Sequence, residues 1–240
     1  MNDFITETKK ALGANGLDEF LAGGIPERLG ELAEHLIAVN SVMNLTSITD
    51  PRGVAVRHFA DSLSVSRLIP AGARVIDVGC GAGFPSLPLA VARPDLDITA
   101  LDSTGKRINF LNETAELFGI GSLHGIAARA EDAGREPGLR ESFDVAVSRA
   151  VARMNILSEL CLPFVRCGGV FIAMKGDPEE ELSEALAGIA KLGGGATEKS
   201  SFDLLGEDEP ERRTLVSVKK LSATPNEYPR DFARIKKKPL

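Results

Sequence analysis

From Ala73 onward the chain alternates short β-branched runs with helical stretches, and that rhythm leaves few folds open. RVIDVG reads as a strand and PLAVAR as a helix; DITALD and GKRINFLNETAELFG repeat the pair, and SLHGIAA adds a weak strand. FDVAVSRA with ARMNILSELCLPFV, then GGVFIAMKG with PEEELSEALAGIAKLG, continue it. A strand, a helix and a second strand form a crossover unit. It aligns the strands in parallel and covers both faces of their sheet with helices. The last two runs, TEKSSFDLL and RRTLVSVKKL, have no helix between them. They predict a hairpin, and so one antiparallel strand in an otherwise parallel sheet.

Residues 1–70 read as helical. Leu29, Leu32, Ala33, Leu36, Ile37 and Met43 recur at helical spacing. Asp50 before Pro51 is an N-cap followed by proline at the first helical position, which predicts a helix running to about Leu68. Its apolar stripe is Val56, Phe59, Ala60 and Leu63, with Arg57, His58, Asp61 and Ser62 opposite. The organisation expected is a helical extension over 1–70, an α/β domain over 71–221 and an extended basic tail over 222–240. In its final stretch, YPRDFARIKKKPL, Arg230, Arg234, Lys236, Lys237 and Lys238 stand against Asp231 alone.

An apolar fraction of 43% supports a sizeable core, and a net charge of −6 argues against unspecific coating of nucleic acid or membrane. No apolar run approaches the roughly 20 residues that span a bilayer. The N-terminus lacks a signal-peptide core. Cys80, Cys161 and Cys167 form no CxxC pair and read as reduced thiols, so the chain is expected to be cytoplasmic. His35 is expected at the surface, and His124 as a structural residue at a strand start.

The stretch DVGCGAGFPSLPLA, Asp77 to Ala90, follows the first strand and carries glycines at 79, 81 and 83. A triphosphate-binding loop needs GxxxxGK[ST], and no Lys with Ser or Thr follows Gly83 at that spacing. A dinucleotide fingerprint needs GxGxxG, and counting from Gly79 puts Phe84 where the third glycine belongs. S-adenosylmethionine, which has no phosphates, asks only for a flat backbone shelf, which Gly79, Gly81 and Gly83 provide. Asp102 ends the second strand about 20 residues on, where a carboxylate accepts from ribose hydroxyls. An Asp there suits nicotinamide cofactors as well, so it does not decide between the two. Phe84 is read either as shielding the ligand or as packing under the first helix.

NLTSI, RHFADSL, VIDVGCGAGFPSLPLA, LDSTGKRINFL, SRAVA and MKG occur in that order over about residues 40–220. Together they resemble the bacterial guanine-N7 methyltransferases of small-subunit ribosomal RNA, the glucose-inhibited division protein B family. The resemblance implies a class I S-adenosylmethionine-dependent methyltransferase fold. This is a Rossmann-like, mostly parallel seven-stranded α/β sheet with an antiparallel last strand, behind a small helical N-terminal extension. It implies S-adenosylmethionine as cofactor, with contacts at Gly79, Phe84, Asp102, Ala130, Glu131 and Arg149. It also implies 16S ribosomal RNA, or the small subunit, as partner, with a guanine of the 530 loop as target. Ala82, Phe84 and Ser86 depart from the family's more usual Pro, Leu and Gly.

Guanine N7 has an in-plane lone pair and no proton, so its methylation needs no general base. That agrees with a sequence holding no HExxH, no metal-ligand cluster and no nucleophile elbow, in which Cys80 reads as a small filler. Asn44, with Thr46 in the same loop, His58 and Asp61 are the candidates for positioning the reactants. His58 and Asp61 read equally as a solvated helix face with a local ion pair. Lys106, Arg107, Arg153, Lys175, Arg212 and Arg213, with the five tail cations, are the candidates for RNA phosphates. A monomer is expected. The alternative substrates are another RNA, a protein or a small molecule.

Overall fold

Val75 and Ile76 are neighbours on one strand and both are fully buried, in different hydrophobic clusters. Val147 and Ala146 repeat this split on a second strand. Successive side chains of a strand point to opposite faces, so a sheet with two such clusters is covered on both sides. The computed structural model describes residues 2–149, 151–206 and 209–240. Its strands are β1 (Arg74–Val78), β2 (Asp97–Asp102), β3 (Leu123–Ala127), β4 (Phe143–Arg149), β5 (Val165–Lys175), β6 (Gly194–Leu204) and β7 (Glu211–Lys220). They form one sheet in the order β3-β2-β1-β4-β5-β7-β6. The first five strands run parallel, and β7 runs antiparallel to both β5 and β6. The hairpin expected at the end is present. Its second strand is the one inserted next to β5.

The helices are α1 (Asn2–Ala14), α2 (Ile25–Met43), α3 (51–63), α4 (Ser86–Ala92), α5 (Gly105–Leu117), α6 (Ala130–Ala133), α7 (Met154–Cys161), α8 (Glu179–Lys191) and α9 (Phe232–Lys237). Helix α3 starts where the sequence places it, with Asp50 Oδ1 accepting from Gly53 N at 2.7 Å. It ends at Leu63, before the expected Leu68, and residues Ser66–Leu68 form a separate 3-10 turn. Val54–Ala60 within it is π-helical, a change of hydrogen-bond register that apolar spacing does not report. Helix α1 packs on α3, and His58, Asp61 and Ser62 are buried on the side expected to face solvent, where Arg57 stays exposed. His35 is not a surface residue either. Its ring stacks on Phe110 at 5.7 Å, meets Phe118 edge-on, and its Nε2 lies 3.2 Å from Thr114 Oγ1, pinning α2 to α5. His124 is exposed on the edge strand β3.

The segment after β7 is not an extended tail. Lys220 is fully buried, donates to Leu162 O at 2.8 Å and pairs with Glu141 at 3.4 Å; burial pushes its ammonium pKa down. Arg140 donates to the carbonyls of Gly134, Tyr228 and Thr224, at 3.0, 2.9 and 2.6 Å. Arg230 grips Glu159 with Nε at 2.8 Å and Nη2 at 2.6 Å, and its backbone N donates to the same carboxylate at 2.8 Å. Asp231 then caps α9, and Ile235 buries its one apolar contact. The basic composition of this segment hid its anchors, which are carbonyl oxygens, the Glu159 carboxylate and the buried Tyr228 and Ile235 side chains rather than an apolar stripe. Glu159 has 0% of its surface exposed, so removing its partner leaves an uncompensated buried charge. Arg230→Ala is expected to lower unfolding free energy by about 3–5 kcal/mol in urea titration. Arg234→Ala, whose pair with Asp231 is exposed, should change it by less than about 0.5 kcal/mol; equal effects would contradict this anchoring.

Candidate active site

The strand β1 ends at Val78 and hands the chain to a loop that turns sharply into α4. Asp77 is fully buried at that junction, and its Oδ2 accepts from both the hydroxyl and the backbone N of Ser86. Ser86 therefore ties the start of α4 back to β1, which gives a physical reason for serine where the family more often has glycine. Asp77 Oδ1 has no hydrogen-bond partner, and burial pushes the Asp77 pKa up to about 6. Phe84 and Ala82, the other two departures, are both buried and both line the cleft described below.

The three glycines of the loop serve two purposes. Gly79 and Gly83 have φ of 79° and 91°, and a Cβ on them would come within 2.5 Å of Val151 and 2.4 Å of Leu87. Gly81 also has positive φ, 58°, but a Cβ there would enter open space. Gly79 and Gly81 both line the cleft described below. The loop is fixed to β2: Gly79 N and Cys80 N donate to Leu101 O, at 2.7 and 3.1 Å. Asp102 Oδ2 accepts from Gly81 N at 3.0 Å and Oδ1 from Thr104 N at 2.8 Å. Cys80 is buried in the loop and burial pushes its thiol pKa far up, so it is no nucleophile.

A cleft of about 460 Å³ opens over this loop at the C-terminal ends of the parallel strands, the usual ligand position in such sheets. Asp102, Ser103 and Thr104 form its middle, and Ala128 to Glu131 form the end beyond β3. His58, Phe84 and Arg149 form the opposite end. His58 stacks on Phe84 with centroids 4.2 Å apart and planes 11° off parallel. Its Nε2 lies 2.9 Å from Thr46 Oγ1, and Thr46 is itself held by two hydrogen bonds with the Asn40 side chain. Burial, and secondarily the Arg149 charge, push the His58 pKa down to about 4. The Arg149 guanidinium lies 5.4 Å from the Phe84 centroid and pairs with Asp61 at 2.9 Å.

Asp61 also accepts from Arg213 Nε at 3.2 Å; Arg213 and Arg57 both pair with Glu211, at 2.7 and 2.6 Å. Among the described residues, three guanidiniums thus alternate with the Asp61 and Glu211 carboxylates. This network surrounds a second cavity of about 340 Å³, which shares His58 and Arg149 with the first and adds Lys175 at its rim. Lys175 is already engaged with Ala152 O at 2.6 Å and Glu181 at 3.0 Å.

The structure brings Gly79, Gly81, Phe84, Asp102, Ala130, Glu131 and Arg149 to one cleft, while Gly83 packs behind the loop on Leu87. His58 lines both cavities and Asp61 the second. Asn44 does not join them. It is the exposed, left-handed C-cap of α2, and Thr46, two residues on, lines the cleft instead. Arg107 lies 3.7 Å from Asp102, and Lys106 is exposed beside it. Arg153 and Arg212 are exposed and paired with Glu184 and Asp203; Arg234, Lys236, Lys237 and Lys238 are exposed on or just after α9. Arg230 and Lys175, both expected at phosphates, are instead committed to Glu159 and Glu181 inside the fold. Ser103, Thr104, Val151, Leu160 and Phe232 line the cleft without having been anticipated. Adjacency to Asp102 could have flagged the first two.

The family model for rRNA small subunit methyltransferase G (GidB) matches residues 25–204. The chain belongs to this family. It is 47% identical over 212 residues to the ribosomal RNA small subunit methyltransferase G of Lactobacillus delbrueckii subsp. bulgaricus, covering 86% of this chain and 88% of that one. The Alkaliphilus oremlandii protein of the same name is 41% identical over 232 residues, covering 95% and 96%. Among solved structures, a Thermotoga maritima SAM-dependent O-methyltransferase aligns with TM-score 0.54 at 16% identity, over 79% of this chain and 73% of that one. The M. jannaschii TYW2 structure, in complex with AdoMet, aligns with TM-score 0.51 at 16% identity, over 66% and 73%. These likenesses show the fold, the Rossmann-like class I S-adenosylmethionine-dependent methyltransferase fold.

His58 yields a pH prediction. The unfolded side chain binds a proton near pH 6.5, while the folded one does so only near 4. Its contribution to stability is therefore full above pH 6.5 and falls by about 3 kcal/mol as pH drops to 4. Asp77, raised to about 6, acts with the opposite sign over the lower part of that window. Urea titrations of wild type and His58→Gln between pH 4 and 7 separate the two. The wild type should lose stability more steeply toward acid, and parallel curves would contradict a neutral buried His58.

Proposed function

We propose that this chain transfers a methyl group from S-adenosylmethionine to N7 of a single guanine in the 530 loop of 16S ribosomal RNA. One observation carries the reading: a nucleoside-sized cleft and a guanidinium-ringed cavity meet at His58 and Arg149. The residues fit the cofactor. Asp102 uses each carboxylate oxygen once on backbone N–H groups and keeps lone pairs for two ribose hydroxyls, and Gly81 leaves open space where a Cβ would stand. The family's name supports both the methyl transfer and ribosomal RNA as substrate. Bound in the cleft, S-adenosylmethionine supplies an electrophilic methyl that moves to the N7 lone pair as the carbon–sulfur bond breaks.

The protein's part is positioning. Both Asp61 oxygens are held by guanidiniums. His58 is a weak base with a pKa near 4, so it is not poised to take a proton at neutral pH. That suits a nucleophile with no proton to lose. Holding the reactants aligned supplies on the order of 7–11 kcal/mol of barrier lowering. The guanidiniums of Arg57, Arg149 and Arg213 lining the second cavity suit the phosphates flanking the target guanine. Guanine specificity and the 530 loop rest on the motif resemblance.

Transfer of tritium from labelled S-adenosylmethionine to undermethylated 16S RNA or small subunits tests the assignment. Wild type should label the RNA in proportion to the RNA added. Asp102→Ala should require about 100-fold more cofactor, the loss expected for two hydrogen bonds to a charged acceptor. Label in a protein or small molecule but none in RNA would overturn the reading.

A further inference from the structure

The segment after β7 lies outside the part of the chain that the family model matches, which ends at residue 204. It nevertheless reaches the cleft. Phe232, the first residue of α9, lines the cleft along with Leu160 of α7 and the Ala128–Glu131 segment after β3. Phe232 keeps 37% of its surface exposed, an unusual state for a phenylalanine whose neighbours Tyr228 and Ile235 are buried. The sheet order puts this end of the cleft beside β3, whereas the guanidinium network is built from α3 and the ends of β4 and β7. Phe232 lines the first cleft and not the second, and Pro229, three residues before it, packs on Gly134 at the end of α6, which puts the segment on the side of the cleft beyond β3.

Its placement is enforced. Arg140 holds the carbonyls of Thr224 and Tyr228, Arg230 is clamped on the buried Glu159 of α7, and Asp231 caps α9 from the residue immediately before Phe232. An apolar ring held at the open end of a nucleoside cleft has one obvious use. A purine is a flat π-surface, and stacking on an aromatic side chain contributes on the order of 1–3 kcal/mol per base.

We propose that Phe232 packs against the adenine ring of the bound cofactor, so that the C-terminal segment 222–240 supplies a wall of the cofactor site. This rests on the cleft being the S-adenosylmethionine site. The ring does no chemistry; it shields the purine from water and fixes the adenosine end.

Calorimetric titration of the full-length protein with S-adenosylhomocysteine, and separately with 5′-methylthioadenosine, tests it. Phe232→Ala should weaken both ligands by about tenfold, because both carry the purine. Phe232→Tyr should bind like wild type, and the unliganded melting temperatures of all three should coincide, since the ring is exposed. Binding by Phe232→Ala within twofold of wild type would overturn the proposal while leaving the cofactor assignment standing. Equal weakening by Phe232→Tyr and Phe232→Ala would overturn it too, because a stacking role survives the added hydroxyl. Failure of wild type to bind either ligand would remove the cofactor assignment and the proposal together.

Discussion

The Asp102 carboxylate holds the site together. It receives the Gly81 N–H from one loop and the Thr104 N–H from another, and so joins the turn after β1 to the turn after β2. Two adjacent parallel strands end in one shared acceptor. Because those N–H groups occupy only half of its lone pairs, the same carboxylate that shapes the loop can still meet a ligand. Asp77 does for the far side of the loop what Asp102 does for the near side, fixing Ser86 at the start of α4 from a fully buried position. The loop between them is thereby tied to the sheet at both ends.

Arginines recur along the cleft and the cavity beside it. Toward β3 the walls are backbone, small apolar side chains, Phe232, and Glu131 with Arg107 and Arg129; toward β4 and β7 guanidiniums and carboxylates alternate from Arg57 through Glu211, Arg213 and Asp61 to Arg149. A molecule of net charge −6 thus gathers arginines around its cleft. His58 sits at the boundary and stays neutral because it is buried beside Arg149. Its stacking on Phe84 gives that residue both readings left open by the sequence: it packs in the core and it walls the cleft.

The parallel sheet was legible because strand and helix periodicities are local. So were Asp102 and the glycine loop, whose spacing follows from the strand–turn–helix geometry itself. The π-helical register of α3 was not legible, because the same apolar stripe fits either hydrogen-bond pattern. His35 was misjudged because its partners, Phe110 and Phe118, are some 80 residues away on another helix. The C-terminal segment failed for a related reason. Its lysines and arginines suggested a solvated tail, while its anchors are carbonyls, and a glutamate, that only the tertiary fold presents. Asn44 immediately precedes Leu45 and Thr46, which line the cleft, but its own side chain stays exposed at the end of α2, a difference that a motif cannot resolve.

Positioning without a proton acceptor has a direct kinetic signature. Under single-turnover conditions with saturating cofactor and RNA, the rate of methyl transfer should be flat between pH 6.5 and 8.5. Over that range His58 remains neutral. A rate that climbs tenfold per pH unit through an inflection in that range would show a group losing its proton in the transition state, and would contradict direct attack by an unprotonated ring nitrogen.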